Sequence, residues 1–199
     1  MVVDTGFNRY ALKLVTAPTV EPVSRTEAKL HCRVDITDDD ALIDTLITAA
    51  REYCEVETDR SFINTTWDLV FDSFPDTIYI PRSPLSSVTS ITYLDTAGAS
   101  TTLSSTLYTT DSKGEPGRIV PAYGETWPAT YAIVNAVTVR VVIGYGSAST
   151  SVPSSIIAAI KLLVGHWYQN RQAVVTGTIA SDVPMAVESL LMRVKVGAL

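Results

Sequence analysis

Two histidines, two cysteines and a cluster of aspartates are the side chains best suited to chemistry here, and their spacing argues against its use. His31 adjoins Cys32, while Cys54 and His166 stand alone. A zinc site needs ligands in closely spaced pairs, and an activated nucleophile needs a base within reach. Neither histidine has such a companion at helical or strand spacing, so all four side chains read as structural. Asp35, Asp38, Asp39 and Asp40 suggest a calcium loop but lack its glycine turn and closing glutamate. They fit better as acids at the start of a helix. Gly144, Tyr145, Gly146 and Ser147 occupy a position where phosphate loops occur, yet no lysine follows, and they read as a strand-to-helix turn. No Gly-x-Ser-x-Gly elbow is present. The expectation is therefore no enzyme, no cofactor and no metal. Trp67, Trp127 and Trp167 are candidates for base stacking, but a strand, a loop before Pro128 and a buried helix face favour packing for all three.

Composition points to assembly. Of the 199 residues, 46% are hydrophobic and only 18% charged, which is high for a soluble monomer and reserves apolar surface for partners. A net charge of −6 argues against gripping nucleic acid by its phosphates. An acidic chain can still line a path along which DNA slides. No apolar run reaches membrane length and no secretory leader opens the chain, so the reading is a protein made in the cytoplasm, without a membrane partner.

The elements that would position these residues centre on Val152–Gln172, read as one long helix with Ser151 as cap and Pro153 in its first turn. Ile156, Ala159, Ile160, Leu163 and Trp167 share a face, widened by Ile157, Val164, Tyr168 and Leu162, which leaves only Lys161, Gly165 and Gln169 for water. Such a helix must be covered from more than one direction. Ser24 and Glu27 form a capping box opening a short helix through Arg33, with Ala28, Leu30 and His31 toward the core. A second helix begins at Thr37, its apolar side Leu42, Ile43, Leu46, Ile47, Ala49, Ala50, Tyr53 and Cys54, its polar side Asp44, Thr48, Arg51, Glu52 and Glu55. After a loop at Ala173–Asp182, Pro184 starts a last helix striped by Val187, Leu190, Leu191 and Val194, with Arg193 and Lys195 in its final turn.

Between the helices the period changes to two. Trp67, Leu69 and Phe71 alternate with Asp68, Val70 and Asp72, and Val137, Val139, Val141 and Ile143 with Thr138, Arg140 and Val142. Further strands lie at Ile78–Ile80 and Val88–Leu94, and turns fall at Asp95–Gly98 and Ser112–Gly117. Hairpin-length turns imply an antiparallel sheet. The fold class is α+β: a bundle of about four helices with an inserted antiparallel β-rich subdomain. Residues 1–22 read as an extended arm, 23–60 and 151–199 as the helical core, and 61–150 as the insertion.

The order of these features resembles a known family. Tyr53–Arg60 closes a helix, Trp67 opens a strand, and Pro81–Tyr93 follows. Then come Gly124–Pro128, the valine-rich strand ending in Gly144, Tyr145 and Gly146, and Val152–Pro153 before Trp167, Tyr168 and Arg171. Over Thr37–Arg171 the chain resembles the head-to-tail connector (adaptor) proteins of long-tailed bacteriophages, in the variety with a β-rich insertion, sometimes labelled possible DNA-packaging proteins. The resemblance implies a structural virion protein at the head-tail joint, a dodecameric ring under the portal protein that extends the DNA channel. It also implies a neck, stopper or tail-terminator protein docked below, and passing double-stranded DNA that is not bound specifically. By carry-over the last helix, with Val187, Leu190, Leu191, Arg193, Val194 and Lys195, faces the portal, and the helix bearing Ile156, Ile160, Leu163 and Trp167 builds the ring. Asp44, Glu52 and Glu55 then approach the lumen, an ordinary solvated face being the alternative. A tail-completion or neck protein one ring lower is the nearest competing reading, and a DNA-packaging accessory factor the next.

Overall fold

A computed structural model describes residues 2–3, 10–171 and 185–197. The fold is α+β, and the chain divides into two compact units, Met1–Pro18 with Asn64–Tyr145, and Thr19–Ile63 with Gly146–Leu199.

The first unit is built of strands. In chain order they are β1 (Val2–Val3), β2 (Tyr10–Thr16), β3 (Thr65–Phe71), β4 (Ile78–Tyr79), β5 (Leu85–Leu94), β6 (Ser100–Thr102), β7 (Tyr108–Asp111), β8 (Arg118–Pro121) and β9 (Val137–Ile143). Six of them form one antiparallel sheet in the order β1-β2-β3-β9-β5-β6, and β4-β8-β7 form a second. Burial along β9 alternates strictly, with Val137, Val139, Val141 and Ile143 inside, as a half-buried strand requires. Leu69 of β3 and Ile91 of β5 flank Val139 in the same register and complete an apolar layer with Phe71, Leu85 and Ile119. The hairpin turns are held by aspartates: Asp95 Oδ1 accepts the N–H groups of Ala97 and Ala99, and Asp111 Oδ1 those of Lys113 and Gly114.

Residues 1–22, read from the sequence as an arm, contain a working strand. β2 pairs with β3 from Tyr10 opposite Phe71 to Thr16 opposite Thr66, with a register shift between Leu14 and Thr16. The alternation of Tyr10, Leu12 and Leu14 is the signal, obscured by the prolines that follow.

The second unit is helical: α1 (Arg25–Cys32), α2 (Asp40–Thr58), α3 (Ser154–Gln169) and α4 (Met185–Met192). The capping box is present, Ser24 Oγ accepting from the Glu27 N–H while Glu27 Oε2 accepts from the Ser24 N–H at 3.0 Å. α1 ends one residue earlier than the sequence suggests, because Arg33 takes a left-handed backbone at φ 56°. Leu30 and His31, expected toward the core, are exposed, and only Ala28 of α1 is buried. α3 packs on α1, α2 and α4, with Ile156, Ala159, Ile160, Leu163 and Val164 buried. Its start differs from the expectation: Ser149–Ser151 form a 3-10 turn, Pro153 stands at the cap position, and Ser151 makes no cap bond. Of the strip of α3 assigned to water, Gln169 is exposed, whereas Lys161 bonds Glu27 at 3.0 Å and Gly165 lies against His31 of α1. The loop at Ala173–Asp182 and the start at Pro184 lie outside the described residues.

Candidate functional site

No group of three or more histidine, cysteine or acidic side chains that could hold a metal ion occurs among the described residues. No helix among them is long and apolar enough to cross a membrane. Cys54 is buried and Cys32 half-buried, and neither thiol is shifted toward its thiolate. Burial, then the charges of Glu55 and Glu57, push Cys54 up to about 12, and burial alone raises Cys32. The arrangement offers surfaces, and the residues that shape them lie chiefly in the helical unit.

The charged side of α2 is only in part the solvated face that its spacing suggests. The buried stripe runs through Ile43, Ile47, Ala50 and Cys54, and continues into Arg51, Glu55 and Thr58. Arg51 Nε meets Glu21 Oε2 at 2.8 Å and its Nη1 meets Glu55 Oε2 at 3.0 Å. Glu55 Oε1 accepts the backbone N–H of Phe62 at 2.8 Å, and Thr48 Oγ1 donates to Glu21 at 3.0 Å. Burial would lower the Arg51 pKa, but the hydrogen bond to Glu21 and the charge of Glu55 outweigh it and the net shift is upward. Glu55, placed by the sequence near a lumen, is thus a structural acid. It fixes α2 to the turn at Phe62. Asp44 and Glu52 do remain accessible, Asp44 paired with Arg25 and held below the usual carboxylate range by that hydrogen bond, Glu52 reaching Arg51 at 3.5 Å. The Arg51–Glu55 spacing of four residues was the available signal that the two side chains pair.

At the other end of α2 the acids of its first turn are also in use. Asp39 Oδ2 accepts from Tyr168 Oη at 2.6 Å and from Arg171 Nη2 at 2.7 Å, while the Arg171 guanidinium lies 4.6 Å from the Tyr168 ring centre. These hydrogen bonds, that from Tyr168 first, lower the Asp39 pKa. Lys29 Nζ bonds Asp40 at 2.6 Å and the Ile36 carbonyl at 2.7 Å. The tryptophans pack as anticipated: Trp167 edge-on to Tyr53 at 6.2 Å, Trp67 under Arg82 at 5.1 Å, Trp127 stacked on Phe74 at 4.9 Å. Trp127 and Phe74 line a groove of about 470 Å³ in the sheet unit with Asp76, Pro121, Glu125 and Pro128.

Of the residues singled out on the last helix, Val187 and Leu191 are buried and Leu190 is half-buried. The helix ends at Met192, so Arg193, Val194 and Lys195 follow it instead of forming its last turn. The Val194 carbonyl accepts from Arg60 Nε, and the Val196 N–H donates to the Thr58 carbonyl at 3.1 Å, which ties this segment to the end of α2. Its exposed side chains include Met185, Glu188, Ser189, Met192, Arg193 and Lys195. Leu30 and Ile36, exposed beside the α1–α2 turn, were not anticipated from the sequence.

Comparison with known proteins agrees with this picture of a protein of surfaces. Residues 26–106 match the family model described as phage gp6-like head-tail connector protein. No curated protein matches the chain. Among solved structures, a chain from the neck of an empty GTA particle, computed with C6 symmetry, superposes with a TM-score of 0.79 at 22% identity, covering 95% of this chain and 97% of that one. A chain of the native gene transfer agent (GTA) virion gives 0.78 at 20% identity, over 94% and 96%. A chain of the native GTA neck, computed with C12 symmetry, gives 0.72 at 21%, over 95% and 97%. The resemblance to head-to-tail connectors is borne out: residues 26–106 carry the sequence pattern of a phage gp6-like head-tail connector protein, and the chain has the fold of these neck chains.

Proposed function

We propose that this chain is a structural virion protein of the head-tail joint, a connector that forms a closed ring beneath the portal protein, continues the DNA channel and offers a docking surface to a neck, stopper or tail-terminator protein. The observation that carries the proposal is the coincidence of the connector-family match over residues 26–106 with a fold shared, end to end, with chains of GTA necks. The C6 and C12 symmetries belong to those particles, and a ring of twelve copies is our reading for this one. The domain division proposed from the sequence, a helical core that assembles with a β-rich insertion, suits the surfaces just described. The exposed acids Asp44 and Glu52 are proposed to approach the lumen, where a net charge of −6 lets DNA pass without adhering. A contact with the portal by the last helix falls to Met185, Met192, Arg193 and Lys195, since Val187 and Leu191 face inward.

Electron microscopy of particles assembled without this chain tests the function. Filled or leaking heads beside complete free tails are expected, with joining restored when the chain is supplied. Intact joined particles would reject the reading. Heads that stay filled but tailless, with a connector ring already in place, would move the chain one ring lower, to a tail-completion role. In a map of the ring, Asp44 and Glu52 on the outer wall would remove the proposed lumen acids.

A further inference from the structure

We propose that the groove of the sheet unit is a peptide-docking site, which takes an extended, proline-rich segment of a partner protein carrying an arginine. The groove is built from the sheet unit alone, so this goes beyond the connector reading and does not rest on it.

The groove is braced from within. One wall is the segment after β3, with Ser73, Phe74 and Asp76, and the other runs from Pro121 at the end of β8 to Thr130. Trp127 ties the second wall to the first. Its ring lies within 6° of parallel to Phe74, with centres 4.9 Å apart, and its Nε1 donates to the Asp76 carbonyl at 3.3 Å. Phe74 is fixed in turn by Tyr93 of β5, edge-on at 5.6 Å. With Pro121 and Pro128 in the same wall, the rings make a rigid apolar surface, on which an already extended chain docks with little loss of freedom. Tyr123, two residues before Glu125, is fully exposed in a turn closed by the Glu125 N–H on the Ala122 carbonyl at 2.9 Å, and offers a further aromatic anchor.

Charge selects the occupant. Asp76 and Glu125 line the groove, are exposed, and have no side-chain partner among the described residues. The stretches that form the walls contain no lysine or arginine, from residue 72 to 81 or from 119 to 139, while Asp72 adds a third acid. Arg82, Arg118 and Arg140, which flank those stretches, are engaged with Trp67, Asp111 and Asp68. The groove therefore carries uncompensated negative charge. A nucleic acid is repelled by it, although the stacked rings would otherwise suit a base. A guanidinium meets both features at once, because it lies flat on an aromatic surface and gives paired N–H groups to a carboxylate. Trp127 has committed its only donor to Asp76, so its ring offers the ligand a surface and no hydrogen bond.

The test titrates the isotope-labelled full-length chain with acetyl-Pro-Pro-Arg-Pro-Pro-amide, following the indole N–H signals by NMR and the binding heat by calorimetry, with Trp127→Phe to assign the signal. The Trp127 signal should move with a Kd below about 1 mM, while those of Trp67 and Trp167 stay in place. Citrulline in place of the arginine keeps the shape and removes the charge, and should weaken binding at least about tenfold. Asp76→Asn combined with Glu125→Gln should do the same. Both acids are exposed and unpaired, so circular dichroism and melting temperature of this variant should match the parent. A Trp127 signal that stays still, or equal binding of the citrulline peptide, would overturn the assignment. Spermidine binding as tightly as the peptide would make the groove a site for a free polycation, and an oligonucleotide that moves the Trp127 signal would make it a base platform; either result rejects peptide docking. Joined particles formed without the chain would reject the connector reading and leave this one standing, and a silent titration would do the reverse.

Discussion

In the sheet unit the charged pair on β3 and β9 sits on the face away from the apolar layer: Asp68 is buried, but Arg140, which meets it through two contacts of 2.8 Å, keeps 42% of its side chain exposed. In the helical unit the corresponding arginine is inside. Arg51 keeps 8% of its side chain exposed between Glu21 and Glu55, and Glu55 in turn holds the backbone at Phe62. The sheet is ordered by apolar alternation, which specifies register by itself. The helices present broad apolar faces that slide more easily, and a buried charge network demands one arrangement.

The contrast can be broken by mutation. Arg51→Met leaves two acids without their cation and should cost about 3–5 kcal/mol, lowering the melting temperature by roughly 10 °C. Leu69→Ala in the sheet core should cost a similar or smaller amount, about 2–4 kcal/mol, by opening a cavity. Asp68→Asn should cost only about 1 kcal/mol, because water can take over at Arg140. Equal losses for Arg51→Met and Asp68→Asn in chemical denaturation would erase the distinction. A comparably small effect belongs to the α1 cap, where Ser24→Ala should cost about 1 kcal/mol.

The cap also carries a pH signature. The backbone N–H of Ser24, then Lys161 and the Ser24 hydroxyl, lower Glu27 from 4.5 to about 2. A depressed carboxyl stabilises the fold fully above its unfolded pKa and loses that contribution as pH falls through its folded value. The melting-temperature gap between the parent and Glu27→Gln should therefore be complete at pH 6 and close between about pH 4.5 and 2. A gap constant over that range would contradict the assigned hydrogen bonds.

Legibility followed the same division. β9 was readable because Val137, Val139, Val141 and Ile143 bury every second position, and the Ser24–Glu27 box because capping is local. Arg51 and Glu55 were assigned to solvent because hydropathy places charges outside, and only the segment bearing Glu21, thirty residues upstream, brings Arg51 a second carboxylate partner. Leu30 was assigned inward for the converse reason: its apolar character fits a core, yet the left-handed turn at Arg33 ends α1 with that side chain facing out. The exposure of Leu30, Ile36, Met185 and Met192 was invisible in sequence because exposure of an apolar residue depends on what the fold leaves uncovered.

Gly117 shows how finely one groove of the sheet unit is set. It is buried, its carbonyl accepts the Ile80 N–H at 2.8 Å, and a methyl added there would stand 2.7 Å from Leu85 Cβ. β8 therefore lies against β5 as closely as a hydrogen atom permits, and β8 runs on to Pro121 at the wall of the groove containing Trp127. An alanine at 117 would act as a shim, displacing one wall while Phe74 and Trp127 stay stacked. The aperture of that groove is gauged by a single absent carbon.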